Sequence, residues 1–225
     1  FNLTAPVNQA LYTPNHTADT SIFGAQTFDF NSITVSNNAN PLLTNAMETA
    51  VGDPVNPVTG EFYLEEPADL SIKSLGFALE IKRRYGSQLI YNGPFGFGWG
   101  WNHGETLLSA TKDGEQILIY SDANRKPAEI IDHMDGSYTY PPGTTFNIEK
   151  IESGGTIQKY LIHFKDGRKT EFTDKGLLKV KYDSIEDNTL TFNYEDPIHK
   201  SRITSISDTL KRNLTFTYNN NGKVT

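Results

Sequence analysis

The densest group of residues with chemical potential is glycine mixed with aromatics. Gly93-Pro94-Phe95-Gly96-Phe97-Gly98-Trp99-Gly100-Trp101 has the glycine content of a phosphate-cradling loop. Such a loop ends in Lys-Ser/Thr at the start of a helix, whereas Pro and aromatic rings fill the gaps here. The stretch reads instead as backbone packed closely against rings. Tyr91, Trp99 and Trp101 are the candidate glycan-binding residues, because flat exposed rings can stack on sugars. The competing reading puts the same rings in the core, where aromatic pairs more often sit. His16, His103, His133, His163 and His199 lack the close spacing of a helical zinc motif, so no metal ligand is assigned. Glu65-Glu66 and the run Asp132 with Asp135-Gly136 are the carboxylate pairs. Acid/base hydrolysis needs two carboxyls meeting across a cleft, and a calcium loop needs more ordered oxygens than this run supplies. Turn chemistry and strand-end charge account for both. There is no Gly-x-Ser-x-Gly elbow, and the lack of cysteine excludes disulfides and thiolate chemistry. No catalytic residue and no cofactor is assigned.

Charge and hydropathy narrow the function classes. A net charge of −7 argues against nucleic-acid binding, which wants a basic face. The basic cluster Lys82-Arg83-Arg84 lies in a strand-like run and reads as a solvated or ion-paired strand. No apolar stretch approaches the roughly 20 residues that span a bilayer. The absence of cysteine suits a bacterial exported protein that folds without oxidation. Hydrophobic residues are only 36 %, but 13 Phe and 11 Tyr supply large half-buried surfaces of the kind sheets use. The start at Phe1 suggests a processed or excised fragment.

These residues must be positioned by elements, and the pattern is mostly strand and turn. Residues 1–40, rich in Asn, Thr and Ser, read as an extended arm. Residues 41–50 form the one helix candidate. Asn40 caps it, Pro41 opens it, Gly52 ends it, and Leu42, Leu43, Ala46, Met47, Ala50 and Val51 share a face. From residue 53 onward, alternating runs are broken by turn residues. Asp113-Gly114, Asp135-Gly136 and Asp166-Gly167 supply the positive φ that tight hairpins require. The expectation is an all-β meander of short antiparallel strands over 53–175, grading into repeats over 176–225. Leu190-Thr191-Phe192-Asn193-Tyr194 returns about 24 residues later as Leu214-Thr215-Phe216-Thr217-Tyr218, a spacing typical of stacked repeats. Such a unit cannot bury its apolar face alone and must stack on copies of itself.

Several landmarks then occur in order. They are Gly52-Asp53-Pro54-Val55-Asn56-Pro57-Val58-Thr59-Gly60-Glu61-Phe62, the strand Leu79-Glu80-Ile81-Lys82-Arg83-Arg84-Tyr85, and Gly93-Pro94-Phe95-Gly96-Phe97-Gly98-Trp99. Together they resemble the opening segment, the L-x-x-x-R-x-Y strand and the G-P-F-G-x-G-W stretch of bacterial Rhs/YD-repeat proteins, over about residues 50–225. The repeats depart from the family letters, since Tyr194 is followed by Glu195 and Tyr218 by Asn219, and only Tyr182-Asp183 matches. The resemblance implies a segment of a hollow β-shell that encloses a C-terminal toxin. Its partners would be the rest of the shell, the toxin cargo and a secretion apparatus, and its setting secreted or at the bacterial cell surface. The family's self-cleavage segment has no counterpart in this sequence. A secreted or surface glycan-binding β module and a carbohydrate hydrolase remain the alternatives.

Overall fold

The computed structural model describes Val55, residues 60–65 and residues 67–225. The expected arm and the helix at 41–50 lie outside the described residues. Within them the protein is all-β, with no helix.

The first elements are short. β1 (Tyr63–Glu65), β4 (Arg83–Gly86) and β7 (Trp99–Trp101) form a three-stranded antiparallel sheet in the order β1-β4-β7. β2 (Leu70–Ile72) pairs with β3 (Leu79–Ile81), and β5 (Asn92–Gly93) with β6 (Gly96–Phe97). A four-stranded meander comes next: β8 (Thr106–Lys112), β9 (Glu115–Ser121), β10 (Pro127–Asp132) and β11 (Tyr138–Thr139). The expected hairpin at Asp113-Gly114 joins β8 to β9, with Thr111 opposite Gln116 and Lys112 opposite Glu115. The last sheet has seven strands in strict sequence order: β12 (Phe146–Ser153), β13 (Thr156–Phe164), β14 (Lys169–Thr173), β15 (Leu178–Tyr182), β16 (Thr189–Asn193), β17 (Ser205–Asp208) and β18 (Asn213–Thr215). Neighbouring strands of this sheet all pair antiparallel and the sheet stays open, as a chain of consecutive hairpins dictates.

Alternation builds the core. Tyr160, Ile162, Phe172, Leu178, Leu190, Phe192 and Ile206 are buried on one face of the large sheet. That face packs on Leu107, Leu118, Tyr120 and Ile130 of the four-stranded sheet, with the Tyr120 ring 5.0 Å from Phe146 and 6.1 Å from Phe172. The two sheets also meet at their rims. Tyr140 Oη accepts a hydrogen bond from the Ile148 amide at 2.9 Å, and Lys150 pairs with the buried Asp132 at 3.3 Å.

One irregularity turns part of a strand over. Between β14 and β15 the register passes from Glu171 opposite Val180 to Phe172 opposite Leu178, so the β15 strand carries an extra residue at Lys179. A bulge of this kind reverses the facing of everything beyond it. The inner row therefore runs Ile148, Ile162, Thr170, Lys181, Leu190, Asp208 across six strands, with Lys181 on the core side.

Candidate functional site

The glycine-aromatic stretch forms one wall of the interior. Tyr91 and Trp101 are buried, at 5 % and 3 % exposure. The Arg125 guanidinium lies 4.3 Å over the Tyr91 ring, and the bare α-carbon of Gly93 sits against that ring too, where a Cβ would come within 2.3 Å of it. Trp101 makes edge contacts with Phe95 and His103, both at 5.4 Å, and with Phe216 at 6.0 Å. Neither ring offers a free face, which matches the core reading of Tyr91 and Trp101 and leaves no room on them for a stacked sugar in this conformation. Arg125 and the Gly93 backbone cover Tyr91, and Phe95, His103 and Phe216 cover Trp101. Trp99 is half-buried, stacked under Arg83 at 5.0 Å and beside Tyr85 at 5.4 Å.

The basic cluster is ion-paired, as its sequence context suggested. Lys82 meets Glu65, Arg83 holds Asp69 through two bonds of 2.7 Å, and Arg84 reaches Asn124 and Glu65. Those bonds hold the Glu65 and Asp69 carboxyls below their ordinary range, Lys82 contributing most at Glu65 and Arg83 at Asp69. Asp132 and Asp135 do turn work. Asp132 Oδ1 accepts from the Met134 amide and Asp135 Oδ1 from the Ser137 amide. His16 lies outside the described residues, and the other histidines are scattered: His133 bonds Thr139, His163 bonds Glu149, His199 donates its amide to Asp196, and His103 is buried. Among the described residues no group of three potential metal ligands converges.

A cleft of about 510 Å³ opens between the two main sheets. Glu80, Asn102, His103, Glu105, Tyr120 and Asp122 line one side, and Arg168, Lys169, Thr170, Lys181 and Tyr182 the other. Lys181 Nζ, turned inward by the bulge, lies 2.8 Å from Glu105 Oε2 and 3.3 Å from the Asn102 carbonyl. His103 Nε2 lies 3.0 Å from the Glu80 carbonyl. A carbonyl can only accept, so this is the Nε2–H tautomer. Burial, reinforced by the Lys181 charge, pushes the His103 pKa well below its ordinary value against the opposing pull of the Glu80 carbonyl, and the ring is neutral. Burial also raises Asp122, with the Glu105 charge adding to it, although amide bonds from Lys126 and Asn124 oppose the shift. A cleft with a raised carboxyl is what a hydrolase would show. Here both carboxylates already have structural partners: Asp122 Oδ1 closes a turn through the Asn124 and Lys126 amides, and Glu105 faces Lys181. The arrangement can clamp one sheet to the other. This cluster escaped the sequence pattern, because strand alternation sends Lys181 outward.

The repeated unit is the other feature with a physical role. Turns at 122–126, 164–168, 173–177, 208–212 and 219–223 share one bonding pattern. The first residue's amide donates to the carbonyl four residues on, and the fourth residue's amide donates back to the first. The fourth residue has positive φ in each: Arg125, Gly167, Gly176, Lys211 and Gly222. Asp122, Thr173, Asp208 and Asn219 open four of these turns and accept turn amides with their side-chain oxygens. The repeated tyrosines are equivalent too. Tyr194 Oη donates to the Leu178 carbonyl and Tyr218 Oη to the Ile203 carbonyl, both at 2.7 Å. Residues 73–107 cross these hairpin ends and are tied to them. The Leu107 amide bonds the Gly176 carbonyl, Ser74 bonds Asp208, Arg212 bonds the Lys73 carbonyl, and Lys223 bonds the Gly93 carbonyl.

Two comparisons bear on this architecture. A family model described as a domain of unknown function (DUF6531) matches residues 52–127, which takes in β1 through β9 and ends as β10 begins. A search of curated proteins finds no match to the chain.

Proposed function

We propose that this chain is a non-catalytic wall segment of an Rhs-like β-shell, enclosing a C-terminal toxin that lies elsewhere in the parent protein. The carrying observation is the graded burial of equivalent repeat positions. Leu190 and Phe192 are 1 % and 0 % exposed, whereas their counterparts Leu214 and Phe216, at the sheet margin, are only half-buried. Each unit buries its apolar face by stacking on its neighbour. The resemblance at residues 52–103 supports the family reading, and with it a bacterial, secreted or surface setting, toxin cargo and a delivery apparatus as partners. The glycan-binding alternative gains nothing from Tyr91 and Trp101, whose faces are packed. The hydrolase alternative is weakened by the structural engagement of Glu105 and Asp122.

Electron microscopy of the full parent protein tests the proposal. The expected image is a hollow β particle with this chain forming part of its wall. A solid particle, or a parent reading frame without further repeats, would sink it.

A further inference from the structure

Beside the cleft, a second and smaller cavity of about 40 Å³ lies where β7 meets the hairpin ends of the large sheet. Phe95, Leu178 and Phe216 supply its apolar walls. Trp101, His103 and Arg202 also line it, and in each a nitrogen (Nε1, Nδ1 and Nε, respectively) is buried without a hydrogen-bond partner. Trp101 and His103 are 3 % and 6 % exposed. Trp101 Nε1–H and Arg202 Nε–H are donors only, and His103 Nδ1 is a lone-pair acceptor, because its other nitrogen carries the proton that reaches the Glu80 carbonyl.

A buried polar atom without a partner is costly, so groups of opposite polarity around one small cavity call for a bridging molecule. The space is ample for water, which needs only about 10–15 Å³ of such space. Water also matches the chemistry, since it accepts N–H bonds and donates to a ring nitrogen at the same time. We propose that an ordered water bridges Trp101 Nε1 and His103 Nδ1, with Arg202 Nε as a further donor. It completes the joint between the glycine-aromatic segment and the repeat sheet.

Nuclear magnetic resonance on the whole chain tests this in two ways. A long-lived water should show a cross-peak at the Trp101 indole proton, and the His103 nitrogens should report the Nε2–H tautomer with a hydrogen-bonded Nδ1. His103→Phe removes the acceptor and should abolish the cross-peak while the sheet amides stay protected. If that variant fails to fold, the wild-type cross-peak and a high-resolution crystal structure decide the question. Absence of a water cross-peak at a slowly exchanging indole proton, or density with no water between the two nitrogens, overturns the site.

Discussion

At the residue scale, two tryptophans two positions apart have different fates. Trp101 is enclosed by Phe95, His103 and Phe216, and Trp99 keeps an open flank under Arg83. Truncation of a buried aromatic costs about 3–5 kcal/mol. Trp101→Ala should lose that much or fail to fold, and Trp99→Ala should lose clearly less, as read from urea midpoints. Equal losses would contradict the packing described. His103 gives a pH signature. Its folded pKa lies below the unfolded value near 6.5, so the unfolded chain binds the extra proton. Stability from this group is complete above about pH 6.5 and falls on acidification by about 1.4 kcal/mol per pH unit, down to the folded pKa. His103→Phe should flatten the curve between about pH 5 and 6.5, above the range where ordinary carboxylates titrate. An unchanged slope in the variant would show that His103 is not the group responsible.

At the element scale, the turns set how tightly the chain closes on itself. Gly114 and Gly176 both have positive φ, but their surroundings differ. Nothing lies within 4 Å of a Cβ at Gly114, whereas one at Gly176 would fall 1.5 Å from the Leu107 carbonyl oxygen. Gly114→Ala should therefore cost only the backbone strain, about 1–2 kcal/mol. Gly176→Ala must also push two chain segments apart and break the Leu107–Gly176 bond, so cooperative unfolding should be lost. Thermal melts of the two variants check the contrast, and matching melts would refute it. The tyrosine lock is milder. Tyr194→Phe deletes one hydrogen bond to the Leu178 carbonyl and should cost about 0.5–1.5 kcal/mol, with the strand pairing intact by circular dichroism.

At the scale of the whole molecule, the large sheet ends on the short strand β18, beside half-buried Leu214 and Phe216. An open margin of this kind invites pairing with another chain. Extending Thr225 by one further copy of the repeat unit should raise the unfolding midpoint and reduce self-association, as measured by denaturant titration and light scattering. If the added unit neither stabilises the chain nor changes its apparent mass, the repeats are not stacking in the way the tyrosine bonds imply. Deleting residues 1–40 in parallel shows whether they shield that margin, with an increase in mass expected if they do.

Much of the architecture was legible in the sequence because period-two alternation and turn residues act locally. Leu190 and Phe192 could be placed on one apolar face from the letters around them, and Asp113-Gly114 and Asp166-Gly167 marked real turns. Alternation predicts the face of a residue only while the register is unbroken. The bulge at Lys179 breaks it, turning Lys181 towards Glu105 and Asn102 and assembling a buried polar clamp from segments far apart in the chain. Aromaticity likewise marked Tyr91 and Trp101 as important without saying whether a sugar or the core would cover them. That depended on where β7 and Arg125 came to rest, which distant contacts set and no local pattern encodes.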